Sequence, residues 1–207
     1  MVSLSEQPQI LYERRRETIQ FFAEILKGNL TIEMVQIPAG KFTMGSPDNE
    51  PERRDSEGPQ HDVQVNEFFM GQYPITQAQW RFVVGITQVE QTLEADPSHF
   101  KGDNLPMEQV SWNEAVEFCR RLSAHTRREY GLPTEAEWEY ACRAGTITPF
   151  HFGETITTEV ANYNGSSYAG GSEGEYRGKT TSVDHFGIAN AFGLCDMHGN
   201  VWEWCQD

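Results

Sequence analysis

The sequence predicts one globular domain of mixed strands and helices, much of it irregular. Strand-like apolar patterns occupy residues 31–70, three helix-start motifs follow between residues 76 and 137, and residues 146–190 lack a helical period. A chain of 207 residues can bury one substantial core. Its 38% hydrophobic and 23% charged residues are typical of a soluble globular protein.

The charge and the first residues bear on partners and location. The formal net charge is -15, from 16 basic and 31 acidic residues, which argues against nucleic acid and anionic membranes as partners. Residues 1–7 do not resemble a secretion signal, and the basic cluster at residues 14–16 follows a mixed segment. No run approaches the roughly 18 apolar residues of a membrane span. We therefore expect a cytoplasmic protein.

The first 29 residues are predicted to form a separate N-terminal helix, ahead of a domain at residues 30–207. The helix would cover residues 5–27 and end at Gly28, a residue suited to the position after a helix. Its apolar members are Ile10, Leu11, Phe21, Phe22, Ile25 and Leu26. A structured linker is the alternative.

Strands are predicted next. Residues on either side of the turn at 38–41 indicate a hairpin of two short strands. Its apolar members are Met34, Ile37 and Phe42. Residues 46–60 are polar and are expected to form a surface loop, and residues 63–70 give one further strand.

Three helices begin with the same motif, a capping box in which a hydroxyl residue and a residue three positions later exchange hydrogen bonds with free amides. The pairs are Thr76 with Gln79, Ser111 with Glu114, and Thr134 with Glu137. In the second helix Ala115, Phe118, Cys119 and Leu122 fall on one face, and in the third Trp138, Ala141 and Cys142 do.

The four cysteines show no zinc-site spacing. We interpret them as buried, reduced thiols. Residues 146–190 are rich in Gly, Ser, Asn, Thr and Tyr, and so long an irregular stretch needs something to organise it, for which a hard cation is one candidate.

Four segments together resemble one known family. They are residues 37–45 (IPAGKFTMG), 73–80 (YPITQAQW), 132–141 (LPTEAEWEYA) and 190–204 (NAFGLCDMHGNVWEW). In this order they are similar to the formylglycine-generating-enzyme or sulfatase-modifying-factor family, from about Thr31 to the last residue. The resemblance implies an irregular α+β fold related to C-type lectins, with structural calcium. The family includes formylglycine-generating oxidases, iron-dependent sulfoxide synthases and binding modules, some hypervariable, so the fold does not fix the function.

The chain departs from the family pattern in three places. Gly131 stands where the family usually has Arg, and Cys195 stands where it has Tyr. The family's catalytic elements, a Gly-Gly-Ser strand and two copper-binding cysteines, follow the Trp-Glu-Trp motif and are not within these 207 residues. Copper is therefore expected only if a longer chain supplies the cysteine pair.

The preferred metal candidate is a calcium loop. Asp196 and Glu203 supply carboxylates, and the Gly199 and Val201 carbonyls lie between them. Calcium prefers such oxygen ligands, and these positions match the family's second calcium site. A solvated acidic loop is the alternative.

A second calcium candidate joins Asn162 and the Tyr163 carbonyl to Tyr176. Gly174 stands where the family commonly has Asp. Glu173 or Glu175 could substitute for that Asp, but a solvated loop is the slightly favoured interpretation. The six histidines lack the HxxxH spacing of the sulfoxide synthases. Trp202, Glu203 and Trp204 could form a cation-binding aromatic site, but we expect one tryptophan to fill the core.

Two functions remain open. The first is a non-catalytic, calcium-stabilised module that binds a protein or small-molecule ligand. The second is the N-terminal part of a copper-dependent formylglycine-generating oxidase acting on a sulfatase cysteine. Whether the protein is an enzyme is left open by the sequence. An open apolar face, without the family's last strands, predicts one of two outcomes: the chain self-associates, or the N-terminal helix covers the face with Phe21, Phe22, Ile25 and Leu26.

Overall fold

A computed structural model describes residues 15, 16 and 18–207. The part of the predicted N-terminal helix at residues 5–14 and 17 lies outside the described residues. Within the described part no helix is long and apolar enough to cross a membrane.

The helix predicted for residues 5–27 is wrong at its C-terminal end, because Phe21–Lys27 form strand β1. Burial alternates along it, with Leu26 buried and Phe21 and Ile25 exposed, which is the period of a strand. β1 pairs antiparallel with β2, Leu30–Ile37. Gly28 and Asn29 form the two-residue turn between them, and Gly28 has the positive φ of 57° that such a turn favours.

The hairpin predicted around residues 38–41 is also wrong. β2 pairs with β5 (Phe68–Gly71), which gives a three-stranded sheet in the order β1-β2-β5. β3 (Gly40–Met44) pairs instead with β4 (His61–Val65) in a separate two-stranded sheet. The chain between β2 and β3 therefore crosses from one sheet to the other. The single strand predicted at residues 63–70 is two strands, β4 and β5.

The three predicted helices are present, and all three capping boxes are formed. The helices are α1 (Gln77–Val84), α2 (Trp112–Thr126) and α3 (Glu135–Arg143). The α1 box is buried, and the amide of Thr76 donates to the side chain of Gln79 at 2.7 Å. The predicted loop at residues 46–60 contains one short 3-10 turn, Asp55–Glu57.

The core of the described residues consists of two apolar clusters, one on each face of β2. The first packs β1 and β2 against α1 and α2, with the rings of Trp80 and Phe118 stacked at 5.3 Å. The second packs the other face of β2 against α3 and the chain near Leu194. β2 is therefore the element that joins the two halves of the core.

Side-chain amides organise the irregular second half. The buried Asn190 donates to the carbonyl of Ala141 at 2.7 Å and accepts from the amides of Phe192 and Leu194. Polar side chains here satisfy backbone groups that sheet partners satisfy elsewhere. The prediction of irregular structure at residues 146–190 is confirmed.

Candidate metal loop and ligand cavities

Asn200 holds the loop that contains the predicted calcium ligands. Its amide donates to the Asn162 carbonyl at 2.8 Å, and its side-chain oxygen accepts from the amide of Thr181 at 2.9 Å. Its side-chain nitrogen donates to Asp196 at 3.3 Å. Asp196 and Asn200 both have positive φ, so the loop bends sharply.

The two carboxylates of this loop lie in poorly solvated positions. Burial raises the pKa of Asp196 to about 7. The hydrogen bond from Asn200 lowers this pKa, and the negative charge of Glu203 raises it further. Burial also raises the pKa of Glu203, against the hydrogen bond that Trp138 Nε1 donates at 2.6 Å. A cation would offset the cost of charging both groups.

The backbone between the carboxylates contributes carbonyl oxygens. The Gly199 carbonyl accepts the amide of Val201 at 2.9 Å and keeps a second lone pair. In the described part of the chain no group of three or more His, Cys, Asp or Glu side chains could hold a metal. A calcium ion would therefore need carbonyl ligands, which it accepts readily. Calcium binding at Asp196, Gly199, Val201 and Glu203 stays a prediction.

The structure brings one residue of the second calcium candidate to the first loop. Asn162 Nδ2 donates to the Lys179 carbonyl at 2.9 Å and to Asn200 Oδ1 at 3.2 Å. Tyr163 donates its hydroxyl to the Ile156 carbonyl at 3.2 Å, and Tyr176 is exposed. Asn162 thus links the two candidate segments. Calcium binding by Asn162, Tyr163 and Tyr176 stays a prediction.

The expectation that one tryptophan of the Trp-Glu-Trp motif fills the core is wrong. Trp202 is 96% exposed and Trp204 is 49% exposed. Trp204 is tied down by a hydrogen bond from its Nε1 to the Val110 carbonyl at 3.0 Å. The tryptophan beside the metal loop is Trp138, from α3.

All four cysteines are free thiols. Burial raises the pKa of Cys142 to about 12 and that of Cys119, Cys195 and Cys205 to about 11. Thiols with such pKa values are protonated at neutral pH, whereas copper(I) needs thiolates held close together. In this structure the four cysteines are therefore protonated thiols.

An apolar groove of about 660 Å³ lies between β2, β5, helix α2 and residues 201–204. Met34, Phe118, Leu132 and Met197 are among its walls, and the exposed Trp202 also lines it. All four residues of β5 line the groove. Sequence reasoning missed it, because its walls come from segments far apart in the chain.

An acidic cavity of about 580 Å³ lies between residues 44–61, helix α3 and residues 148–151. His151 and His198 stack here with ring centroids 4.9 Å apart, and the His151 amide donates to His198 Nε2 at 3.0 Å. Among the residues that the structure describes, none lines both this cavity and the apolar groove. The sequence does not predict this histidine pair, because the two residues are 47 positions apart and no local spacing pattern links them.

The fold defines a class of protein: a small, irregular α+β domain whose second half is held by asparagine side chains. The family model for the sulfatase-modifying factor enzyme 1-like domain matches residues 24–207. The chain therefore belongs to this family, and the resemblance noted in the sequence is confirmed.

Relatives of known name differ in activity. The chain is similar to the formylglycine-generating enzyme of Mus musculus, with 31% identity over 84% of this chain and 58% of the mouse protein. It is also similar to the inactive C-alpha-formylglycine-generating enzyme 2 of Bos taurus, with 29% identity over 84% of this chain and 70% of the bovine protein. The chain thus spans little more than half the length of the mouse enzyme.

A solved structure supports the fold. PvdO from Pseudomonas aeruginosa superposes with a TM-score of 0.72 and 31% sequence identity, over 90% of this chain and 74% of PvdO. The predicted irregular α+β fold of this family is confirmed.

Proposed function

We propose that the chain is a non-catalytic binding module that takes up an extended, apolar polypeptide segment, with calcium stabilising its last loop. The observation that carries the proposal is the apolar groove along β5. Its volume of about 660 Å³ is within the range of ligand sites, and its lining is mainly apolar.

The position of β5 favours a polypeptide over a compact small molecule. Among the described strands β5 is at the edge of its sheet, and it pairs with β2 on one side only. An edge strand presents unpaired N–H and C=O groups, to which an extended segment adds by backbone hydrogen bonds. Because the groove runs along all of β5, an added segment would bury apolar side chains there.

Two observations support a non-catalytic role. The four thiols have raised pKa values, so they are protonated at neutral pH and are poor nucleophiles. The bovine relative carries the name of an inactive enzyme, so catalysis is not common to all proteins with this domain.

The groove is tested with a library of ten-residue peptides displayed on phage, and selected peptides are resynthesised and titrated by calorimetry. Leu132→Glu places a charge in the groove, and Ile147→Glu makes the same kind of change at a residue that is 90% exposed and outside it. We expect selected peptides to alternate apolar and polar residues. We also expect Leu132→Glu alone to weaken binding by about tenfold or more. Equal binding to both variants, with unchanged melting temperatures, would exclude the groove.

The oxidase is the second candidate, and the 31% identity with the mouse enzyme favours it. A downstream reading frame that encodes the Gly-Gly-Ser strand and a close cysteine pair would supply the missing copper ligands. The longer protein would then convert a cysteine of a sulfatase-derived peptide to formylglycine, which mass spectrometry detects. That result would replace the non-catalytic proposal.

A further inference from the structure

The acidic cavity has an excess of negative charge. Within the described part of the chain, four carboxylates line it, from Glu50, Glu57, Glu135 and Glu139, against one arginine, Arg143. His151 does not offset this negative charge. Burial lowers the pKa of its imidazole to about 4, so the ring is neutral at pH 7.

The arginine is already engaged. Its Nε donates to Glu139 at 2.7 Å, and its two terminal nitrogens donate to the carbonyls of Thr148 at 3.3 Å and Gly45 at 3.2 Å. Glu139 also accepts the amide of Gly45 at 3.0 Å. Arg143 and Glu139 therefore neutralise each other and fasten the wall of the cavity, and three carboxylates remain.

Among the described residues, Glu50 is a half-buried lining carboxylate without a side-chain partner, whereas Glu135 is exposed to solvent. Within the described residues the side chain of Glu50 makes no hydrogen bond or ion pair. Burial raises its pKa, Arg143 lowers it, and the charges of Glu57, Glu139 and Glu154 raise it further. A half-buried carboxylate among other carboxylates is costly unless a cation accompanies it.

His151 gives a second, independent indication of a ligand. Both of its ring nitrogens are buried and have no hydrogen-bond partner within the described part of the chain. Buried polar groups of native proteins nearly always have partners, so an orphaned imidazole at a cavity wall marks an incomplete site. A neutral imidazole offers one acceptor, which a ligand N–H group can reach once the ring turns towards the cavity.

The arrangement suits an organic cation better than a metal ion. Within the described residues no three His, Cys, Asp or Glu side chains come together as metal ligands. The carboxylates are instead spread around a space of about 580 Å³, the size of a small-molecule site. A ligand that carries its charge on several N–H groups can reach more than one of them.

We propose that the acidic cavity binds a guanidinium or primary-amine group, with Glu50 as its counter-ion and His151 as a hydrogen-bond partner. The cation comes from a free small amine or from a basic side chain of a peptide. This site is separate from the apolar groove, so its test is independent of the test of the proposed function.

Calorimetry of the whole chain with two probes tests the site. Agmatine represents a free amine, and N-acetyl-arginine amide represents a peptide side chain. N-acetyl-arginine amide is compared with its neutral counterpart, N-acetyl-citrulline amide, which has a similar shape without the charge. We expect at least one cationic probe to bind, more weakly at high salt, and the citrulline compound to bind at least about tenfold more weakly.

Two variants make the result specific to the cavity. Glu50→Gln should lower the affinity for the cationic probe by about tenfold or more. Glu67→Gln removes the same charge at an exposed residue and should leave the affinity unchanged. Glu50→Gln should also keep or raise the melting temperature, because it removes an unpaired carboxylate. Three results would overturn the proposal: no binding of either cation, equal binding of citrulline, or equal effects of the two substitutions.

Discussion

A buried ion pair on α2 fixes the loop after α1. Glu117 and Arg121 lie 2.7 Å apart, and their side chains are 1% and 4% exposed. Glu117 accepts the amides of Val89 and Glu90, both at 2.9 Å, and Arg121 donates to the carbonyl of Gln91 at 2.6 Å. The pair thus satisfies backbone groups of a segment that has no regular structure.

Breaking this pair should be costly. Glu117→Gln leaves the Arg121 charge buried without a counter-charge, and we expect a loss of about 3–5 kcal/mol in the free energy of unfolding. The neighbouring Arg120 pairs with Glu90 on the surface, and Arg120→Ala should cost about 0–1 kcal/mol. Urea denaturation of the two variants measures both values, and equal losses would contradict the role of the buried pair.

The same pair sets a pH dependence. Burial alone would raise the pKa of Glu117, but Arg121 and the backbone amides lower it to about 2, from 4.5 in the unfolded chain. A lowered pKa stabilises the fold above pH 4.5, and this stabilisation is lost as the pH falls from 4.5 towards 2. Urea denaturation between pH 2 and 6 gives the free energy of unfolding at each pH. This free energy should change less steeply with pH for Glu117→Gln than for the parent. The same pH dependence of the free energy of unfolding in both proteins would show that Glu117 does not cause it.

Calcium binding at the last loop is tested by chelation. If calcium bridges Asp196 and Glu203, a chelator should lower the melting temperature of the parent, because ligands of the folded state stabilise it. The double variant Asp196→Ala/Glu203→Ala should not respond, whereas Glu159→Ala, at an exposed residue, should respond like the parent. Equal responses of the parent and the double variant would remove the prediction.

The thiols should be unreactive in the folded protein. Their pKa values of about 11 to 12 leave almost no thiolate at neutral pH. Labelling at pH 7 should therefore be slow for all four cysteines and become fast only after unfolding in urea. Fast labelling of one cysteine with a thiolate-like pH profile would identify a reactive site.

At the scale of elements, strand β1 contributes to the core through only one of its two faces. Leu26 is buried in the first core cluster, whereas its neighbour Ile25 is 66% exposed. Leu26→Ala should cost about 2–5 kcal/mol, and Ile25→Ala about 0.5 kcal/mol or less. A helix over the same residues would not separate them in this way, so similar losses in thermal or urea denaturation would argue against the strand.

Local signals in the sequence predicted the helices but not the sheets. A capping box such as Thr134 with Glu137 is contained within four residues, so its geometry can be predicted without knowing the rest of the fold. Strand pairing depends on distant partners: Ile37 pairs with Phe68, and nothing near Ile37 indicates this. The adjacent apolar pairs at residues 21–22 and 25–26 match a helical stripe as well as a strand, and pairing with β2 decides between them.

The candidate sites follow the same distinction. Asp196 and Glu203 are seven residues apart and were found in the sequence as one loop. The apolar groove and the acidic cavity are assembled from segments across most of the chain, so only the fold brings their residues together. Asn200 was missed as a key residue of the metal loop, because its contacts with Asn162 and Thr181 are also non-local.

At the scale of the whole molecule, exposed apolar surface lies along both edges of the three-stranded sheet. β1 exposes Phe21, which is 59% exposed, and Ile25 at one edge, and the apolar groove runs along β5 at the other. Strand edges next to apolar surface promote association between molecules. Self-association remains an expectation, to be measured by analytical ultracentrifugation across a range of concentrations.

Deleting residues 1–28 gives the strongest test of what covers the sheet. The predicted covering helix is replaced by β1, so the deletion would remove a strand, leave an edge of β2 unpaired and uncover Ile32 and Met34. We expect the deleted chain to associate more and to bind more of an apolar dye than the parent. The matched control Phe21→Ser/Ile25→Ser keeps β1 but removes its exposed apolar side chains, and it should associate less than the parent. A deleted chain that stays monomeric and as stable as the parent would show that β1 covers nothing.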